Sequence, residues 1–206
     1  MNLPEILSAL AHERPGEQAH ARMAPSPKII PGIEGIHHRP PIPSAVMVLL
    51  SPENNDWNLL LIRRSNQGKY HGGQIAFPGG KIEESDPDKQ SAALRECQEE
   101  IGISPQHINI VSTLSDIYIP LSNFNITPYV GTIPKMPNFV LSPNEVDEVI
   151  PVSLQQILDD RNKTIRTIFR NSHEIKARGY QIGENFIWGA TAMIIAELET
   201  LLKHEV

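Results

Sequence analysis

The stretch Arg95-Glu96-Cys97-Gln98-Glu99-Glu100-Ile101-Gly102-Ile103 decides how this chain is read. At about 100° per residue, with Ala93 set to zero, the apolar Ala93, Leu94, Cys97 and Ile101 fall within one quadrant of a helix. Glu96, Glu99 and Glu100 then lie at about 300°, 240° and 340°, beside that stripe rather than opposite it. Glu96 and Glu100 are like charges at i, i+4, which weakens an isolated helix by a few tenths of a kcal/mol. A hard divalent cation turns that repulsion into a ligand set, because Mg²⁺ takes carboxylate oxygens and keeps waters that phosphate can replace. Arg95 precedes Glu99 by four residues and is placed to brace it as a bidentate partner.

Immediately upstream stands Phe77-Pro78-Gly79-Gly80, joined to the helix by Lys81–Asp86. Adjacent glycines let backbone N–H groups approach a phosphate without interference from a Cβ. The helix is expected from about Asp88 to Ile101, with Asp86 as its cap, Pro87 in the first turn and Gly102 as its stop. A glycine pair, a cap, an arginine and three ordered glutamates point to a cation-assisted diphosphate site.

Gly80 through Ile103 resembles the Nudix box, G-x5-E-x7-R-E-U-x-E-E-x-G-U, in which U is aliphatic. Arg95, Glu96, Glu99, Glu100, Gly102 and Ile103 match, and Cys97 fills the first U position. The first acidic position falls on Asp86, with eight residues rather than seven before Arg95. That stretched form is similar to the coenzyme A diphosphatase branch. A second motif of that branch precedes the box: Leu60-Leu61-Ile62-Arg63-Arg64-Ser65, then Lys69, Gly73 and Phe77-Pro78-Gly79-Gly80. Ile62 stands where the motif has threonine, and Lys69 where it has arginine. Lysine keeps the charge there but not the bidentate fork. Phe186–Ala192 also resembles that branch.

The resemblance implies hydrolysis of the pyrophosphate bond of coenzyme A or its derivatives. The products would be 4′-phosphopantetheine, or its acyl form, and adenosine 3′,5′-bisphosphate. It implies Mg²⁺ or Mn²⁺ on Glu96, Glu99 and Glu100, with Arg95 completing the catalytic set. Arg64, Lys69, Gly79 and Gly80 would contact substrate. Asp86 is either a cap or an outer carboxylate. The base is Glu99 or Glu100, or a residue of the later Ser142–Glu148 segment, where Glu145 and Glu148 are candidates. Other nucleoside diphosphate derivatives such as ADP-ribose are the competing substrates. A non-catalytic nucleotide-binding regulator is the competing class, although such proteins tend to lose box carboxylates.

Working outward, the 206 residues hold 18 basic and 24 acidic side chains, a net charge of −6 that disfavours a general nucleic-acid partner. The one cysteine, Cys97, excludes an internal disulfide framework and a multi-cysteine zinc site. Met1–Glu5 lacks a basic n-region, and no apolar run has the length to span a bilayer, so a cytoplasmic protein without membrane partners is expected. Eight of the 18 prolines lie between Pro4 and Pro43. Residues 1–43 are therefore read as a helix at Leu3–Leu10 followed by a Pro-rich arm serving packing or a homodimer contact. Residues 44–206 are read as the Nudix hydrolase domain. Strands are expected at 45–50, 59–63, 108–114, 124–133 and 146–152, with a hairpin from 165–169 and 174–182. Helices are expected at 153–160 and from Gly189 to about Lys203. Without regular βαβ alternation the class is α+β, a mixed α/β/α sandwich with a mixed sheet between helices.

Overall fold

The computed structural model describes residues 1–26, 39–53, 56–66, 72–170 and 173–205. Its centre is strand β1 (Ile42–Glu53), which is apolar at consecutive positions because both of its faces are covered. Val48 and Leu50 join one hydrophobic cluster, while Ala45, Met47 and Leu49 join another. Strand β2 (Asp56–Arg64) repeats the split, with Leu59 and Leu61 on the first side and Leu60 and Ile62 on the second. The two pair antiparallel, Leu50 opposite Leu59. Successive strand side chains point to opposite faces, so two clusters divided residue by residue define one sheet buried from both sides.

Short strands β3 (Ile75–Ala76) and β4 (Gly79–Lys81) follow, β3 on β2 and β4 on β1. Helix α3 (Lys89–Ile101) then packs Ala92, Ala93, Cys97 and Ile101 onto the second cluster. Strands β5 (Asn109–Thr113), β6 (Ile117–Ile119) and β7 (Phe124–Thr132) come next, and β5 and β6 each pair antiparallel with β7. Strand β7 lies parallel to β1 over nine positions, Ile42 opposite Phe124 through Leu50 opposite Thr132, which makes the sheet mixed. Strand β8 (Val146–Ser153) pairs with β2.

The other face is covered by helical elements. Helix α1 (Leu3–Leu10) begins with a capping box between Asn2 and Glu5 and buries Ile6, Ala9 and Leu10. Helix α2 (Glu17–Met23) buries Ala19, His20 and Met23. Helix α4 (Leu154–Leu158) is capped by Ser153 and is followed by a 3₁₀ turn at Asp160–Asn162, so the helix expected at 153–160 stops early. Strands β9 (Lys163–Arg170), β10 (His173–Ile182) and β11 (Asn185–Trp188) form a separate antiparallel sheet, and helix α5 (Gly189–Leu202) closes the layer. The α/β/α sandwich with a mixed sheet is the architecture expected. No described helix is long and apolar enough to cross a membrane.

Candidate active site

The cap of helix α3 lies two residues beyond the one expected from sequence. Asp88, not Asp86, is the N-cap, and its Oδ1 accepts the Ser91 N–H at 2.7 Å. Asp86 is used elsewhere because Arg95 reaches it: Arg95 Nε donates to Oδ1 at 2.9 Å and Nη2 to Oδ2 at 3.0 Å. The bidentate fork expected for Glu99 therefore goes to Asp86. The remaining Arg95 nitrogen, Nη1, serves Glu99 Oε2 at 2.9 Å and Glu96 Oε1 at 3.2 Å, and Nη2 also meets the Lys81 carbonyl. Three carboxylates raise the proton affinity of this guanidinium, with Asp86 foremost, while the same arginine holds the Asp86 carboxyl below its usual range.

The three box glutamates have different surroundings. Glu100 is 2% exposed. Its Oε2 accepts the Gly79 N–H at 2.9 Å, and its Oε1 accepts Arg64 Nη1 at 3.1 Å. Burial pushes its pKa up to about 7 against the lowering effects of Arg64 and the Gly79 amide, and Glu96 and Glu145 push it further. Glu96 is partly buried and its pKa is likewise raised, first by desolvation, with Glu99 and Glu145 adding to it. Glu99 is largely solvated and its carboxylate lies on Arg95.

Gly79 and Gly80 form strand β4 instead of an open phosphate loop. A Cβ on Gly79, where φ is +152°, would lie 2.4 Å from the Ala45 carbonyl oxygen, and one on Gly80 would lie 2.3 Å from Glu96 Oε1. The glycines thus let β1 and the acidic helix close on either side of β4. The Gly79 amide expected to approach phosphate is already donated to Glu100. Arg64, expected to meet substrate phosphate, also turns inward, with Nη2 on the Gly79 carbonyl at 2.8 Å. A register shift between Arg63 and Arg64 separates their partners on β8, Glu148 and Val146. Such bulges re-aim side chains, and Arg64 points to Glu100 while Arg63 pairs with Glu148 at 2.7 Å.

The C-terminal end of α3 brings in a further carboxylate. Gly102 stops the helix at φ +76°, and the N–H groups of Val140 and Ser142 donate to the carbonyls of Ile101 and Glu100. The segment docked in this way carries Glu145 to a cleft of about 1190 Å³ that Arg64, Gly79, Gly80, Glu96 and Glu100 also line. Glu148, the alternative base, is not among the residues lining that cleft. Lys69, Tyr70 and His71 lie outside the described residues, as do His37 and His38.

Among the described residues no three His, Cys, Asp or Glu side chains converge as a ready metal cage. Nonetheless Glu96, Glu100 and Glu145 face one cleft, and each of the first two has its pKa raised first by burial and further by the carboxylates around it. An all-oxygen donor set whose members repel one another even with Arg64 and Arg95 beside them fits a hard divalent ion. Glu99, held by Arg95 through Oε2, is not among the residues that line the cleft.

The family model of the NUDIX domain matches residues 41–171. The chain belongs to the Nudix family. An uncharacterized Nudix hydrolase from Citrobacter koseri, NudL, is 37% identical over 142 residues, covering 68% of this chain and 72% of that protein. A NudL protein from Salmonella paratyphi B has the same identity and coverage. In fold, a MutT/nudix family protein from Enterococcus faecalis superposes with a TM-score of 0.56 at 21% identity, over 81% of this chain and 64% of that one. The Nudix hydrolase RenU from M. smegmatis gives 0.53 at 16% identity, over 81% and 86%.

A Nudix hydrolase acts on nucleoside diphosphate derivatives, generally with Mg²⁺ or Mn²⁺, and the acidic cleft is placed for that reaction class. Sequence reasoning missed that parts of its walls come from outside the matched Nudix residues. Helix α2 contributes Ala21, its C-cap Ala24 adds to the wall, and α5 contributes Met193 and Ile194. The signal was faint: Ala19 and Met23 at i, i+4, in a segment whose prolines read as an arm.

Proposed function

We propose that this Nudix hydrolase cleaves the pyrophosphate bond of coenzyme A or its derivatives. The products are 4′-phosphopantetheine, or its acyl form, and adenosine 3′,5′-bisphosphate. One observation carries the reading: the motif that resembles the coenzyme A branch meets the Nudix box at Glu100, where Arg64 Nη1 reaches Oε1 at 3.1 Å and the Gly79 N–H reaches Oε2 at 2.9 Å. Arg64 stands at the border between the buried carboxylate and the cleft, so one guanidinium orders the acidic helix and presents positive charge to a phosphorylated ligand.

Glu96, Glu99 and Glu100 would hold the Mg²⁺ or Mn²⁺. When bound, the ion neutralises charge on the pyrophosphate and acidifies a bound water. Arg95 fixes Glu96 and Glu99 on the helix face, and Asp86 fixes Arg95. Glu100 is held by Arg64 and the Gly79 amide and is counted among the metal ligands. Glu145 approaches the same cleft from a different element and is the base we assign; it would take the proton from the attacking water. Lys69 is proposed as a second cation for the substrate.

Mass spectrometry of products from coenzyme A, dephospho-coenzyme A and ADP-ribose, each with magnesium, tests the reading. Preferential conversion of coenzyme A to the two named products supports it. Equal or faster cleavage of ADP-ribose would assign the site to another diphosphate. Failure to cleave any of them would leave a nucleotide-binding role. Glu99→Gln is expected to abolish turnover, and wild-type rates in that variant would remove the proposed metal set.

A further inference from the structure

Strand β9 is the outer strand of the three-stranded sheet, whose order is β11-β10-β9, and no described strand lies on its far side. Its pairing with β10 runs without a register shift from Lys163 opposite Tyr180 to Arg170 opposite His173. The direction of its backbone groups follows from Lys176 on β10. That residue exchanges both of its backbone hydrogen bonds with Ser26, at 3.0 Å each, on the flank of β10 away from β9. Backbone groups alternate between flanks along an antiparallel strand, so Thr167, opposite Lys176, turns its N–H and C=O to the open edge. Ile165 and Phe169, two positions to either side, do the same.

Edge strands that stay single are blunted by proline, by a bulge or by charge. The sequence of β9, Lys163-Thr164-Ile165-Arg166-Thr167-Ile168-Phe169-Arg170, has no proline, and its ladder has no bulge. Ile165 and Phe169 are 59% and 76% exposed on the open face. Arg166 leans back over its own sheet, its Cζ 5.2 Å from the centre of the Phe186 ring.

We infer that β9 pairs with the β9 of a second copy of this chain, antiparallel about a two-fold axis at Thr167. That register sets Thr167 against itself and Ile165 against the partner's Phe169, so every outward-turned backbone group at the centre meets another. Arg166 then faces Ile168, and Thr164 faces Arg170. An axis at Arg166 would set that arginine against its own copy, and one at Ile168 would set it against Arg170, like charges directly opposite. An axis at Ile165 pairs only residues 163–167 and one at Phe169 only 168–170, whereas Thr167 pairs 164–170. Charge agrees with the chosen register. Each outer row of the open face runs Arg178, Ile165, Phe169, Glu174 across the four strands, with opposite signs at its ends. The middle row ends in Lys176 on both sides, about 14 Å apart at three strand spacings and beyond the roughly 8 Å screening length of physiological salt. This contact is separate from the Pro-rich arm and independent of which diphosphate is cleaved.

Sedimentation across the micromolar range tests the contact and should show a species of twice the chain mass. Thr167→Pro removes an outward N–H and leaves the β9–β10 ladder whole, and Phe169→Lys puts a cation into the seam. Each should weaken self-association by about tenfold or more while the protein still melts cooperatively. Cys97, the one native cysteine, is fully buried. Thr167→Cys therefore supplies an accessible thiol that a short bismaleimide should join to its copy, whereas Lys176→Cys, about 14 Å from its mate, should stay unjoined. Doubled mass with that crosslinking pattern supports the contact. A single chain mass at every concentration, a dimer that persists in both folded variants, or faster joining of Lys176→Cys than of Thr167→Cys overturns it.

Discussion

Replacing Gly80 with alanine separates the acidic site from the fold that carries it. The new Cβ would stand 2.3 Å from Glu96 Oε1 and 2.6 Å from its Cδ, whereas non-bonded carbon atoms settle near 3.5 Å or beyond, so the carboxylate must retreat by about 1 Å. Glu96 can retreat because only the end of a flexible, partly exposed side chain is struck, and the stability cost is about 1 kcal/mol. In a chain of this length that lowers Tm by about 2–4 °C. The activity cost is far larger, because a displacement of about 1 Å in a catalytic group removes on the order of 100-fold in rate. Magnesium-dependent hydrolysis of coenzyme A beside thermal melting measures both effects. The adjacent Gly79→Ala supplies the contrast: its Cβ would strike the backbone, 2.4 Å from Ala45 O and 2.6 Å from Val46 Cα, at φ +152°. It should cost roughly 3 kcal/mol or more. A G80A protein within about threefold of wild-type turnover, or one as unstable as G79A, would refute this account of β4.

Asp86→Asn removes the charge that holds the Arg95 fork, and turnover should fall about tenfold or more while secondary structure persists, read by kinetics and circular dichroism together. Glu197→Ala leaves His20 and Ser115 without their shared buried partner, at a cost of about 3 kcal/mol. Its Tm should fall by about 6–12 °C, and a melt unchanged from wild type contradicts the role given to that carboxylate. Glu100 has its pKa pushed up to about 7 in the folded protein from an ordinary 4.5, so the native state binds this proton more tightly than the unfolded chain does. Its contribution to metal-free stability is present at low pH and is lost as pH rises through about 7. The urea midpoint should decline over that window in wild type and less in Glu100→Gln, and equal slopes would count against the shift.

Much of this arrangement is legible in the chain itself. Sustained apolar runs such as Ala45–Leu50 and Leu59–Ile62 belong to strands covered on both faces, and the 3.6-residue pattern of α3 placed its buried stripe and its acidic flank. The helix stop at Gly102 follows from a residue free to take φ +76°. Other features depended on partners distant in sequence. Asp86 and Asp88 are equally good caps locally, and only the reach of Arg95 decides between them. Gly79 and Gly80 read as a loop because glycine has little intrinsic strand preference; β1 on one side and Glu96 on the other made them a strand. Arg64 was read as facing ligand because nothing nearby in sequence announces the Glu100 carboxylate that turns it. Helix α2 lay hidden in a proline-dense segment, since seven residues carry too short a period to stand out.

The parallel pairing of β1 with β7 has a consequence for assembly. Its partners are about 80 positions apart, and α3 lies on the chain between them. Contacts of such long range form slowly, after their loop-closure entropy has been met. A nascent or partly refolded chain can wind its glutamate-bearing helix early, yet it has no enclosed chamber until β7 docks. Recovery of enzymatic turnover after dilution from denaturant should therefore lag behind recovery of helical signal, timed by the last long-range strand to arrive.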